Sequence, residues 1–140
     1  MTVSIGKTNR TEISRLISST EGIKLNDQEK RMFDRYLLAT SSVWVGMVDS
    51  KLVCTWGLIP PTMMSDIAYL WLYTTENVKS HEFLFIRHSQ RMVEKMLEEY
   101  PILTGHTTCG WDQTIRWLRW LGAEFGDPQG KLLPFVIRKK

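Results

Sequence analysis

The sequence predicts an α/β (α+β) fold in which a mixed central sheet carries helices on both faces. The elements run β-α-α-β-β-β-α-β-α-β-β within a single domain, residues 1–140. Three observations predict it. Cys109–Phe125 places apolar residues at 111, 115, 117, 118, 120 and 121, a stripe of helical period between the apolar strands Pro101–Thr108 and Ala123–Phe125. Ser42–Val48 and Lys51–Ile59 flank the tight Asp49-Ser50 turn and are apolar on both faces, which marks a central hairpin. Ile67–Thr74, the strongest strand signal, leads through a polar connector into the longest helix, and that helix leads into another strand. A strand-helix-strand step of this kind makes the strands parallel and the crossover right-handed.

In chain order, Thr2–Ile5 alternates as a short strand that Gly6 is expected to end. Thr11 is read as the cap of a helix running to about Ser18, with Ile13, Leu16 and Ile17 on one face. Glu21-Gly22 breaks it. Asn26 or Asp27 caps a second helix to about Ala39, with Met32, Phe33, Tyr36 and Leu37 inward. After the hairpin, Pro60-Pro61 stops pairing and Met63–Asp66 is a loop. Ser80 caps the long helix to about Tyr100, its apolar start, Phe83–Ile86, expected to be buried. Met92, Val93, Met96 and Leu97 narrow to one stripe farther on. Asp112 is placed to cap the last helix and Gly122 to end it. Asp127-Pro128-Gln129-Gly130 is a turn, and Leu132–Arg138 is a last strand able to pair with Glu124–Phe125.

Composition excludes several classes. With 43% hydrophobic and 24% charged residues, the chain has enough apolar surface for one core. A net charge of +3 and a basic run confined to Arg138-Lys139-Lys140, with no RNA- or DNA-binding motif, argue against a nucleic-acid partner. Cys54 and Cys109 make no disulfide framework and read as buried, reduced thiols. Met1–Lys7 lacks the pattern of a signal peptide, and no apolar run reaches the roughly 18 residues of a membrane span. The expected location is the cytoplasm, or a particle assembled there. His81 and His88 share a helix face, but two histidines do not make a metal site. Six tryptophans serve either as core filling or as a contact surface for a protein partner or a second copy.

The order of elements, with Arg116-Trp117-Leu118-Arg119-Trp120-Leu121-Gly122-Ala123, resembles the Gcn5-related N-acetyltransferase (GNAT) superfamily. In that family a strand, a helix ending in leucine-glycine-phenylalanine and a final hairpin form the C-terminal half. More narrowly, the chain resembles the small GNAT-like proteins of short-tailed phages, including their internal virion protein. They share its size, its long Arg/Lys/Met/Glu-rich helix and a helix ending in Leu-Gly-Ala with Phe two residues later.

The resemblance implies a set of working residues. The family holds the pyrophosphate of acetyl-CoA on backbone N–H groups at the start of the long helix. Its usual motif, Arg/Gln-x-x-Gly-x-Gly/Ala, corresponds here to Thr74-Thr75-Glu76-Asn77-Val78-Lys79-Ser80-His81-Glu82, which has no glycine and carries two carboxylates. Thr74, Thr75, Lys79 and Ser80 are the residues left to bind the cofactor if it binds. The general acid of the family, a tyrosine on the last helix, falls at Leu118, and the asparagine that opens that helix falls at Trp111. Tyr69 or Tyr73 could substitute for the acid. Glu76, through a water, or His106 could serve as base, although a histidine on an apolar strand is ordinarily a hydrogen-bonded core residue. The catalytic candidates are therefore Tyr73, Glu76 and His106. Ser89 and Cys109 show no Asp-His partner for nucleophilic chemistry.

With the glycine loop and the tyrosine both replaced, the resemblance favours a non-catalytic GNAT-like domain, a phage structural or internal virion protein with no cofactor, expected in the host cell's cytoplasm or in the virion with other virion proteins as partners. The alternative is an N-acetyltransferase that transfers acetyl from acetyl-CoA to an amine.

Overall fold

The computed structural model describes residues 2–19, 26–75, 81–110 and 112–140. Eleven elements follow one another: β1 (Val3–Thr8), α1 (Arg10–Ser19), α2 (Asp27–Ala39), β2 (Ser42–Val48), β3 (Lys51–Ile59), β4 (Ile67–Thr74), α3 (Glu82–Glu99), β5 (Ile102–Thr108), α4 (Asp112–Trp120), β6 (Glu124–Phe125) and β7 (Leu132–Arg138). The strands form one mixed sheet in the order β1-β2-β3-β4-β5-β7-β6. The described chain divides into two compact units, residues 1–59 with 71–82 and residues 60–70 with 83–140, so that β4 passes from one to the other after Leu70. No helix among the described residues is long and apolar enough to cross a membrane.

In the first unit, the β2–β3 hairpin is central as expected. Positive φ at both Asp49 (50°) and Ser50 (66°) gives the turn whose twist suits a two-residue hairpin. Nearly every residue of β2 and β3 is buried. β1 does not stop at Gly6: the strand continues to Thr8, pairing Gly6 with Val45 and Thr8 with Val43. Glycine weakens a strand but does not forbid one, and this register supplies ladder partners on both sides of it. The cap of α1 is Asn9 rather than Thr11; its Oδ1 accepts from the Glu12 amide at 2.9 Å. Asn26 caps α2 in the same way, accepting from the Glu29 amide. Phe33 and Leu37 form the buried stripe of α2, while Met32, expected inward, is 52% exposed because it lies one position off that stripe.

In the second unit, β4 and β5 are parallel, in register from Ile67↔Ile102 to Tyr69↔Thr104. β5 also pairs with β7 along its whole length, and β7 with Glu124–Phe125 as the predicted terminal hairpin. On α3, Val93, Met96 and Leu97 are buried, whereas Leu84, Phe85 and Ile86 are only half-buried. α4 begins at Asp112 itself, so this carboxylate lies in the first turn, where the helix dipole favours it. Gly122 (φ 98°) closes the helix: its amide donates to Arg119 O and the Ala123 amide to Leu118 O, both at 3.0 Å. This Schellman closure requires the left-handed conformation that glycine adopts freely, and it packs Ala123 beside Leu118, both buried. The Leu-Gly-Ala sequence is therefore a helix stop with a physical cause.

Candidate functional site

Strand β5 alternates cleanly. Leu103, Gly105 and Thr107 are buried, while Thr104, His106 and Thr108 turn to the more open face. The buried face is the α4 side. Arg119 of α4 sits over the Phe125 ring at 5.5 Å, Phe125 meets Phe135 at 6.4 Å, and the Phe135 ring lies where a Cβ of Gly105 would stand. Gly105 thus has to be glycine for Phe135 to cross β5 at that point. The neighbouring His106 is consequently exposed, which corrects the reading of it as a core histidine.

Tyr69 and His106 are 37 residues apart and meet through the parallel register. Tyr69 pairs with Thr104, so it shares a face with Thr104 and with His106 two residues on. The Tyr69 hydroxyl and His106 Nδ1 are 3.3 Å apart, with the rings tilted by 41° at 5.7 Å between centroids. Both residues were candidates separately. Their pairing is what the sequence reading missed, because it depends on strand register rather than on residue type. The pair lies on the face of β5 opposite α4, the helix that carries Leu118 at the position of the family's tyrosine.

The other candidates fall elsewhere. Tyr73 lies on β4 in the first unit, half-buried, its ring 5.4 Å from that of Phe33. Burial, and then the charge of Glu29, push its phenol above the ordinary tyrosine range, so it stays protonated. Thr75 is buried and structural. Its hydroxyl donates to Leu52 O at 2.7 Å and its amide to Val53 O at 2.9 Å, tying the end of β4 to β3. Thr74 closes β4, and its side chain lies outside the described residues, as do Glu76, Lys79, Ser80 and Trp111.

An acetyl-CoA site is tested by what remains. α3 starts at Glu82, directly beyond the connector, and runs for 18 residues. A helix leaves its first four amides without carbonyl partners, and a helix N-terminus can hold an anion without any glycine. Among the described residues, no three His, Cys, Asp or Glu side chains gather as a metal site. Leu118 is buried and its carbonyl is engaged in the helix stop, so that position supplies no acid.

The cysteines take no part in this chemistry. Burial pushes the Cys54 thiol up to about 12, against a smaller opposing effect from the Gly46 backbone. At pH 8 its thiolate fraction is then about one in ten thousand. Cys109 is half-buried rather than buried, its Sγ 4.0 Å from Gly130 O. Iodoacetamide at pH 8 is expected to alkylate Cys109 in the native protein and to reach Cys54 only after denaturation. Peptide mass spectrometry reads the order, and labelling of Cys54 first would contradict it.

No protein-family model matches the chain, and no curated protein matches it in sequence. Solved structures do match it, and they define the class: the chain has the GNAT fold. A Bacillus subtilis acetyltransferase in complex with CoA is similar over 99% of this chain and 98% of its own, with a TM-score of 0.68 and 11% identity. The GNAT domain of S. lividans PAT is similar over 99% and 91%, with a TM-score of 0.73 and 9% identity. The Campylobacter jejuni N-acetyltransferase PseH in complex with acetyl coenzyme A is similar over 99% and 100%, with a TM-score of 0.63 and 10% identity. At these identities the likeness establishes the fold alone. It nonetheless corrects the preference for a non-catalytic phage structural protein. Solved structures that share this fold from end to end include acetyltransferases, one solved with CoA and one with acetyl-CoA.

Proposed function

We propose that the chain is an acetyl-CoA-dependent N-acetyltransferase that moves an acetyl group to an amine. The observation that supports this reading is end-to-end likeness to acetyltransferases, CoA-bound and acetyl-CoA-bound examples among them. The first amides of α3 would hold the pyrophosphate, with Lys79 as the nearby cation in sequence. Bound acetyl-CoA would supply the activated acyl group. Leu118 supplies no proton at the position of the family's acid, so proton traffic would use other groups. A cytoplasmic location and an origin in a short-tailed phage both accord with this reading.

The test is binding followed by turnover. Acetyl-CoA at 100 times its Kd is expected to stabilise the fold by about 2.7 kcal/mol, seen as a rise in melting temperature. Lys79→Glu should weaken that rise. Release of CoA thiol is then followed with a panel of amines comprising spermidine, lysine and a peptide N-terminus. Absence of both stabilisation and thiol release at millimolar acetyl-CoA would overturn the proposal.

A further inference from the structure

We infer that His106 is the general base for the acceptor amine, and that Tyr69 is the positioning residue that fixes its tautomer. The inference rests on the acetyltransferase reading and goes beyond it by assigning the proton transfer to residues outside α4. Three observations carry it. His106 is exposed on a strand whose alternate residues are buried, so its ring is held by the sheet while one edge stays open to an incoming substrate. Its Nδ1 meets the Tyr69 hydroxyl at 3.3 Å. The pair lies on the face of β5 opposite α4, with His106 in the carboxyl half of that strand.

The chemistry follows from the tautomer. With Nδ1–H donating to the Tyr69 oxygen, Nε2 carries the lone pair and is the basic atom. An acceptor reaches the protein as an ammonium group and cannot attack until it loses a proton. Nε2 takes that proton, and the neutral amine adds to the thioester carbonyl. The C–N bond forms and the C–S bond breaks. The second proton on the acceptor nitrogen goes to the departing sulfur, so amide and thiol both leave neutral. The imidazolium then returns its proton to water across its exposed edge. On this account no acid on α4 is required, and Leu118 is compatible with turnover.

The test compares wild type, His106→Gln and Tyr69→Phe, using the best amine of the panel above and thiol release as the assay. His106→Gln is expected to lose about 100-fold or more in kcat, the scale of general base catalysis. Its Kd for acetyl-CoA, by calorimetry, should be unchanged. Tyr69→Phe is expected to lose about tenfold, the lower end of what an outer partner of a working histidine contributes. In the free wild-type protein, 15N NMR of the imidazole should show His106 protonated at Nδ1, and Tyr69→Phe should abolish that preference. A His106→Gln variant within threefold of wild type, or an Nε2-protonated His106 in wild type, overturns the inference while leaving the acetyltransferase reading intact. A wild type that neither binds acetyl-CoA nor releases thiol overturns both.

Discussion

Leu103→Ala is expected to lower the unfolding free energy by about 3–5 kcal/mol, the upper part of the range for leucine truncation in a rigid core. Leu103 has no exposed surface, and its ladder partners on both sides, Ala68 on β4 and Ile137 on β7, are buried as completely. A cavity opened there is flanked by the side chains of Ala68 and Ile137 on the same face, and the β5 backbone beneath it, held in two ladders, cannot rise to fill it. The loss is therefore expected to combine the transfer and cavity terms. Urea unfolding followed by circular dichroism measures it, with a midpoint lower by roughly 1–3 M. Leu132→Ala, at a position 47% exposed on β7, is the comparison and should stay within about 0.5 kcal/mol of wild type. Equal losses in the two variants would show that the β5 core is not packed as described. Because Thr104 and His106 are carried on the same strand, Leu103→Ala is also expected to disturb the Tyr69–His106 distance.

Much of this fold was legible because strands and helices are set by periodicity. The β2–β3 hairpin, β4 and the terminal hairpin could be read from apolar runs bounded by turn residues. The close of α4 could be read because Leu118, Gly122 and Ala123 occupy the three positions that a Schellman stop needs. Other features were not legible because they depend on tertiary register. Gly6 continues β1 only because β2 offers a partner. Asn9 rather than Thr11 caps α1, a choice between adjacent polar residues that the sequence leaves open. His106 looked like a core residue because β5 as a whole looked apolar. In fact the core face of β5 is carried by Leu103 and the small Gly105 and Thr107, which leaves the histidine outside.

The functional error had a different cause. Missing glycines in residues 74–82 and a leucine at 118 suggest a missing reaction. Yet helix amides bind anions without glycine, and proton transfer tolerates relocation. Tyr69 shows the point: beside His106, on the face away from α4, it is placed to support the base proposed above. Residue types at family positions report on one solution to the chemistry, and strand register decides which others are open.

Gly57→Ala is expected to cost about 1–3 kcal/mol through overpacking, although it adds a single methyl group. A Cβ at Gly57 would stand 2.6 to 2.7 Å from Cζ2, Cε2 and Nε1 of Trp71. That indole cannot yield cheaply. Its Nε1 donates to Thr40 Oγ1 at 2.8 Å, and the Thr40 hydroxyl donates in turn to Tyr36 O at 2.6 Å. Phe33 meets the ring edge-on at 5.5 Å and Tyr36 stacks on it at 6.3 Å. Moving Trp71 therefore breaks a partly buried hydrogen bond and two aromatic contacts together. Gly6→Ala is the control, because a Cβ there meets nothing within 4 Å. By reducing the freedom of the unfolded chain, it should be neutral or stabilise by up to about 1 kcal/mol. The decisive comparison is Gly57→Ala in a Trp71→Ala background. With the indole gone, the added methyl has room and its cost should vanish, giving a coupling energy equal to most of the single-variant loss. A cost that persists without Trp71 would place the clash in the backbone and remove the tryptophan from the explanation.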